Sequence, residues 1–333
     1  MKALRLARFL GPEESAVLAL LVLTFCLMGA LNPRFFEPNN ILEMSRFFVE
    51  TGLIALAMAP IIITGGIDLS VGSMMGLSVV VMGMGWRHLG LPPGLDVLLG
   101  LAAGGLAGLV NGLFIARAKI PPLIVTLATM ALYRGIALGL GARAPVSDFP
   151  PAYYELGQAY YTLLGVVQIP QQLPLLIILG LLTAAVLQRT VFGRWVYAVG
   201  HNERAAWFAG IPVPNVRLVL YTFSGLMSAL AGAVFLSRVA TAKADAGTLM
   251  ELDVITVCVL GGVSIYGGRG SILGAVLGLL VVSSLVRGLT LARVPFEDQK
   301  IILGAVLLVA AAAQHFLAQR VAARRASASV RHL

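Results

Sequence analysis

The sequence predicts an all-α membrane protein with about ten transmembrane helices, and three observations support that fold class. The 333-residue chain is 59% hydrophobic and only 12% charged, whereas soluble domains carry about 25% charged residues. Its apolar runs are about 17–22 residues long, the length that an α-helix needs to cross a bilayer. The runs lack the alternating polarity of a transmembrane β-barrel. Too few polar residues remain for a large extramembrane domain, so we expect a single transmembrane domain over residues 1–333.

Ten apolar runs define the predicted helices in order along the chain. Their approximate spans are 15–31, 41–63, 70–87, 95–116, 121–140, 173–188, 215–236, 252–266, 271–291 and 299–318, so that helices occupy roughly residues 15–318. The eighth span is short for a membrane crossing. Two long loops cover residues 141–172 and 189–214, and a basic tail covers residues 319–333.

The distribution of Lys and Arg predicts how the chain is oriented in the membrane. An even number of helices places both termini on one side. If that side is the cytoplasm, most of the basic residues are cytoplasmic too, as the positive-inside rule requires. We therefore expect a multi-pass protein with cytoplasmic termini, an external loop 141–172 and a cytoplasmic loop 189–214. The net charge of +9 reflects this orientation rather than a nucleic-acid partner.

The segment from Thr64 to Ser73 places a carboxylate and hydroxyls among three glycines, between two apolar runs. A charge at the hydrocarbon is costly unless it faces protein or a water-filled cavity, so Asp68 is a candidate functional residue. The glycines let the backbone bend and pack closely, as in a broken helix beside a solute path. A short aqueous turn in which Asp68 caps the next helix is an equally good explanation.

Small polar residues in the neighbouring runs extend this candidate path. The residues that we expect to line or gate it are Asp68, Ser70, Ser73, Asn111, Thr126 and Thr129. For each of them the alternative is packing between helices by small polar side chains, which is common in membranes. That alternative is the better explanation for Ser73, Thr126 and Thr129.

The sequence contains a weak internal similarity between two Gly-rich segments. The Gly-rich segment 65–76 resembles the segment 261–274, and both lie between two apolar runs. Gly-interrupted segments in two parts of a chain indicate a transport path built from repeats. Chance similarity between Gly-rich apolar sequences is the alternative.

A solute pump needs a source of energy, and the sequence offers two. The chain has no Gly-x4-Gly-Lys-Ser/Thr loop, so ATP would have to act through a separate subunit. An ion gradient would instead require carboxylates within helices, of which Glu50 and Asp253 are the candidates. Glu50 is equally able to pair with Arg46, four residues away on the same helical face.

The cytoplasmic loop favours the separate ATPase. Asn202 can cap a short helix over residues 203–209, and Gly210 with Pro212 would end it. Such a helix would present Ala205, Ala206 and Phe208 to a groove on a cytosolic protein. The candidate coupling residues are Asn202, Glu203, Ala205, Ala206, Phe208 and Gly210. An interfacial helix anchored in the lipid by Trp195, Tyr197 and Trp207 is the alternative.

Four segments together resemble one known family. Residues 64–73, 109–127, 193–211 and 259–274 are similar, in the same order, to segments of the permease subunits of bacterial ribose/xylose-type ABC sugar importers. That family includes permeases for rhamnose, arabinose, galactose and autoinducer-2, with a more distant branch for branched-chain amino acids. The resemblance covers roughly residues 30–315.

The resemblance implies a permease subunit that moves a pentose, hexose, deoxyhexose or autoinducer-2 across the bacterial inner membrane. It implies a second permease, identical or paralogous, and a periplasmic or lipid-anchored solute-binding protein. It also implies a cytosolic ATPase that carries ATP and Mg and docks on the loop 193–211. The chain itself would bind no cofactor and catalyse no reaction.

Individual residues match the family pattern. Asp68 matches its acidic residue, and the coupling-loop pattern is matched by Asn202, Glu203, Ala205, Ala206 and Gly210. The rival functions are an ion-coupled secondary transporter and a permease for a branched-chain amino acid.

Overall fold

The computed structural model describes residues 11–141, 145–163 and 167–312, most of which are helical. In chain order the elements are α1 (Pro12–Leu31), α2 (Pro38–Ile63), α3 (Val71–Leu89), α4 (Pro93–Ala116), α5 (Pro122–Gly141), α6 (Glu155–Gln158), β1 (Tyr160–Leu163), β2 (Val167–Pro170), α7 (Gln172–Arg189), α8 (Val191–His201), α9 (Glu203–Phe208), α10 (Val213–Val239), α11 (Met250–Leu260), α12 (Ile272–Leu291) and α13 (296–312). Strands β1 and β2 form an antiparallel hairpin. The basic tail 319–333 lies outside the described residues.

Within the described residues, seven helices are long and apolar enough to cross a membrane, namely α1, α2, α4, α5, α7, α10 and α12. Helix α11 has only 11 residues, which span about 16 Å and so roughly half of the hydrocarbon core. The prediction that this helix extends to residue 266 is wrong. It ends at Leu260 because Gly261 and Gly262 form a turn, in which Gly262 has a φ of +83°.

Contacts between helix ends divide these ends into two groups. One group includes the starts of α1 and α12, where the Ser271 hydroxyl donates to Glu14 Oε1 (2.8 Å). It also includes the end of α2, where the Gly268 N–H donates to the carbonyl oxygen of Ile63 (2.8 Å). We call this the N-terminal face of the molecule.

The opposite group of ends lies around the β-hairpin, and we call it the hairpin face. There Asn32, which follows α1, donates to the Leu291 carbonyl at the end of α12 (3.1 Å). Trp86 in the last turn of α3 donates to the Asp148 carbonyl (2.9 Å). When α3 and the short α11 are counted with the long helices, successive helices of the bundle therefore run alternately between the two faces.

Helix α2 forms the centre of the bundle, because 83% of its most apolar 18-residue stretch is buried inside the protein. Helices α1, α5 and α7 are peripheral, with 22%, 28% and 17% buried. Helices α4 and α10 pack closely through glycines. A Cβ atom on Gly108 would lie 2.3 Å from the Tyr221 carbonyl oxygen, and one on Gly225 would lie 2.1 Å from that of Gly104. Such small-residue contacts let membrane helices approach one another.

The segment between α5 and α7 packs onto the ends of α3 and α4. Tyr153 donates its hydroxyl to Asp96 Oδ2 (3.0 Å) and lies within the ring cluster of Trp86 and Phe149. Burial and the neighbouring Asp96 raise the pKa of Tyr153. The predicted long loop 141–172 thus contains the hairpin and short helical turns that cover one end of the bundle.

Candidate solute path and coupling site

Asp68 is fully buried and accepts hydrogen bonds from two elements. Its Oδ1 accepts from the backbone N–H and the hydroxyl of Ser70 (3.0 and 2.6 Å), directly before α3. Its Oδ2 accepts from the Ser224 hydroxyl of α10 (2.8 Å). Asp68 therefore organises the turn before α3, as a capping residue would, and also joins that turn to α10.

Further donors extend this cluster to α4 and α5. Asn111 donates to the Ser70 hydroxyl oxygen (2.8 Å), and Tyr133 lies within hydrogen-bond distance of Asn111 Oδ1 (3.2 Å) and of the Ala107 carbonyl oxygen (2.9 Å). The structure thus brings together the predicted residues Asp68, Ser70 and Asn111, each with no exposed surface. The cluster thus joins the turn before α3 to α4, α5 and α10 through buried side chains.

The other predicted path residues lie close to this cluster. Thr126 donates to the Ile67 carbonyl oxygen (3.3 Å), Thr129 donates to Val125 of its own helix (3.0 Å), and Ser73 is 2% exposed. Hydrogen bonds from a threonine hydroxyl to a backbone carbonyl oxygen are common where helices pack, so these two bonds agree with the packing alternative.

Sequence reasoning missed Ser224, Tyr133 and Tyr221. They lie within apolar runs, with no neighbouring pattern to mark them. The buried Tyr221 hydroxyl has no hydrogen-bond partner among the described residues, and it lies 2.6 Å from where a Cβ on Gly66 would be.

Arg134 is another residue that the analysis missed, although a lone arginine within a 20-residue apolar helix is a visible signal. Its guanidinium donates to the carbonyl oxygens of Ala244, Ala246 (2.9 Å) and Gly72 (3.2 Å). It therefore holds the segment between α10 and α11 against the start of α3.

Glu50 and Asp253, the two carboxylates that an ion-coupled mechanism would use, each have a cationic partner. Glu50 pairs with Arg238 of α10 (2.8 Å), so the alternative of a pair between Glu50 and Arg46 is wrong. Arg46 instead pairs with Glu43, three residues earlier (2.9 Å). Asp253 pairs with Lys300 of α13 (2.6 Å). Within the described residues no group of three His, Cys, Asp or Glu side chains is arranged to hold a metal.

The short helix α9 forms as expected, one residue shorter than predicted. Asn202 caps it by accepting from the Ala205 N–H (3.0 Å), and Glu203 forms an ion pair with Arg217 of α10 (2.7 Å). Phe208 is 87% exposed and Ala205 is also exposed.

Ala206 differs from the expectation, since it is buried against Val199 and Val213 and faces the bundle rather than a partner. Gly210 ends the α9 turn with a φ of +81°, in the left-handed region that favours glycine.

A backbone contact links α8, directly before α9, to the two Gly-rich segments. A Cβ on Gly200 would lie 1.8 Å from the Ile63 carbonyl oxygen and 2.6 Å from the Gly268 nitrogen. The two similar Gly-rich segments, 65–76 and 261–274, therefore meet on the N-terminal face and lie beside α8. Through this contact, a displacement of α9 and α8 would move the backbone directly before the turn that holds Asp68.

Comparison with known proteins agrees with this geometry. The family described as "Branched-chain amino acid transport system / permease component" matches residues 40–311. The chain is 40% identical to the ribose import permease protein RbsC of Bacillus subtilis (strain 168), over 90% of this chain and 91% of that protein. It is 36% identical to the autoinducer 2 import system permease protein LsrD of Escherichia coli (strain K12), over 89% and 90%. No solved structure matches the chain significantly.

Proposed function

The chain belongs to the branched-chain amino acid transport system permease family, and we propose that it is the membrane permease of an ATP-binding cassette importer for a sugar or sugar-like solute. The observation that carries this proposal is the likeness to the ribose import permease over nine tenths of both chains. The family description names branched-chain amino acids, but the two relatives compared above are named for ribose and autoinducer 2. Full-length likeness to these relatives favours a sugar-like solute over an amino acid.

We infer ten membrane crossings in the bacterial inner membrane, with the N-terminal face in the cytoplasm and the hairpin face outside. The three additional crossings would be α3, the half-length α11 and α13. Two observations support this topology, the alternating direction of the long helices and the charge of the loops. Basic residues close to the N-terminal face are Arg117, Lys119, Arg189, Arg194, Arg204 and Arg217. With both termini on the same side, 14 of the 24 Lys and Arg residues would be cytoplasmic, as the positive-inside rule requires.

Helix α9 would be the docking element for a cytosolic ATPase, which would carry the ATP and Mg. Phe208 extends from it almost fully exposed, and burying a phenylalanine in a partner's groove stabilises the complex by about 1.5–3 kcal/mol. The N-cap and the Glu203–Arg217 ion pair hold α9 in a fixed orientation. Motion of the ATPase would pass from α9 through α8 to the contact of Gly200 with Ile63, and so to the Asp68 cluster.

The remaining partners follow from the same proposal. A solute-binding protein would dock on the hairpin face, and a second permease, identical or paralogous, would complete the membrane unit. This chain would perform no covalent chemistry. An ion-coupled mechanism is less well supported, because Glu50 and Asp253 are each held in an ion pair with a cationic side chain.

The experiment is co-purification in nanodiscs with a candidate ATPase and binding protein, with ATP hydrolysis as the readout. The test variants are Glu203→Arg and Gly210→Ala. The matched control is Gly90→Ala, because Gly90 also has a positive φ (+60°) and open space around it, but lies on the hairpin face. We expect both loop variants to weaken assembly, while Gly90→Ala assembles like the native chain.

Two results would count against the proposal. In one, no ATPase assembles with the native chain. In the other, all three variants reduce assembly equally, which would indicate a general loss of stability rather than a docking site.

A further inference from the structure

A cavity of about 290 Å³ enters the bundle between α2, α11, α12 and α13. On α12 the lining residues begin at Val282 and Ser283 near the middle of the helix, and Ser283 lies about 12 Å from the end of α12 at Leu291. A second cavity of about 350 Å³ lies at the hairpin face and is lined by Tyr160 of the hairpin. Arg287 lines both cavities, and Thr290 in the last turn of α12 lines the inner one, so the two cavities lie side by side near the hairpin face.

The inner cavity combines aromatic rings with a charge pair. Phe47, Phe48 and Phe296 line it, and Phe47 and Phe296 are 53% and 64% exposed. The Lys300 ammonium contacts both carboxylate oxygens of Asp253 (2.8 and 2.6 Å), and these side chains remain about a quarter exposed. A small set of placed polar groups in an apolar, aromatic cleft is typical of small-molecule sites.

Two hydroxyls in this cavity lack partners. In the described part of the chain, neither Thr51 nor Ser283 forms a hydrogen bond, although both line the cavity and are partly exposed. By contrast, Gln299 is 8% exposed and donates to the Val294 carbonyl oxygen (2.9 Å). Hydroxyls that serve only to pack helices usually donate to their own helix backbone, as Thr129 does.

We propose that this cavity is a binding site for a neutral monosaccharide that enters from the hairpin face. The site rests on the proposed import of a sugar-like solute and names where in the chain that solute is held. Sugar hydroxyls donate to Asp253 and accept from Lys300 without separating the pair, and they engage Thr51 and Ser283. The C–H faces of the sugar pack on the phenylalanine rings.

A free amino acid fits this site less well. Its ammonium and carboxylate groups would have to compete with Lys300 and Asp253, which already neutralise each other at contact distance. Separating a partly buried ion pair costs desolvation energy that a polyol does not have to supply. Arg287 also lines the cavity, but its guanidinium is held by Asn40 (2.7 Å). The cavity therefore favours a neutral solute over a zwitterion.

The test measures how fast a single cysteine in the cavity reacts with a small polar maleimide. The full-length chain in nanodiscs carries Cys26→Ser, since Cys26 is exposed, and it keeps the buried Cys258. Ser283→Cys reports the cavity. Glu297→Cys is the matched control, because Glu297 is exposed on α13 but does not line the cavity. The probes are D-ribose and L-leucine.

We expect D-ribose to slow the labelling of Ser283→Cys by about tenfold at a concentration of ten times its Kd, because occupancy competes with the reagent. Glu297→Cys should label at the same rate with and without sugar. L-leucine should leave both rates unchanged. Thr51→Cys repeats the measurement on the opposite wall if Ser283→Cys fails to fold.

Three results would overturn this site: no labelling of either cavity cysteine, equal rates with and without D-ribose, or protection by L-leucine alone. Failure here is distinguishable from failure of the proposed function. An assembly that hydrolyses ATP without sugar protection would refute only the cavity site. Sugar protection without an ATPase partner would refute only the importer mechanism.

Discussion

Two carboxylates within the apolar body of this protein, Asp68 and Asp253, lie in opposite surroundings. Asp68 has no exposed surface and receives hydrogen bonds only from neutral groups of Ser70 and Ser224. Asp253 is about a quarter exposed, pairs with Lys300, and borders a cavity that leads toward the hairpin face. Asp68 is placed to hold the Gly-rich turn against α10, whereas we assign the solute to the cavity beside α11.

The largest effect that we expect on stability follows from Asp68→Ala. This change removes the acceptor of three buried donors, so the free energy of unfolding should fall by about 2–5 kcal/mol. Unfolding in detergent, followed by intrinsic fluorescence, measures it. Asp68→Asn keeps one carbonyl oxygen and should lose clearly less. Equal stability of Asp68→Ala and the native chain would show that Asp68 does not hold the turn.

Arg134→Met should have the next largest effect. It removes a guanidinium that bonds three carbonyl oxygens, but Arg134 is only partly buried, so we expect a net loss of about 1.5–3 kcal/mol in total. We expect faster proteolysis or hydrogen exchange confined to residues 240–250, the segment that Arg134 holds. Uniform loosening of all helices would contradict this local role.

The pair Asp253–Lys300 should behave differently. Replacing both residues together, as Asp253→Asn with Lys300→Gln, leaves no unpaired charge, so stability should change by less than about 1 kcal/mol. Protection of Ser283→Cys by D-ribose should nevertheless be lost. If the double variant unfolds as readily as Asp68→Ala, the pair is structural and the contrast between the two carboxylates fails.

The smallest effect on stability is expected for Phe208→Ala, because Phe208 is 87% exposed and packs little within the chain. The thermal midpoint should stay within the error of the native value, while ATPase binding weakens markedly. Leu89→Ala is the control, since Leu89 is 69% exposed but lies on the hairpin face. A loss of ATPase binding in both variants would contradict docking at α9.

The sequence was sufficient for the seven long apolar helices and for α9, because long apolar runs and capping residues are local signals. It did not predict α8, which lies within the predicted loop 189–214. The residues that complete the Asp68 cluster were not predictable, since Ser224 and Tyr133 are ordinary polar residues whose importance depends on helix packing. Long-range partners were missed for the same reason. Glu50 had a plausible local partner in Arg46, but the packing of α10 against α2 supplied Arg238 instead.

The most direct test of the account is uptake of radiolabelled D-ribose by proteoliposomes that contain this chain, a partner ATPase and a binding protein. We predict that uptake requires ATP hydrolysis, is lost with Phe208→Ala and persists with Leu89→Ala. Uptake that proceeds without the ATPase, driven by a proton or sodium gradient, would contradict the assignment of this chain as the permease of an ATP-driven importer.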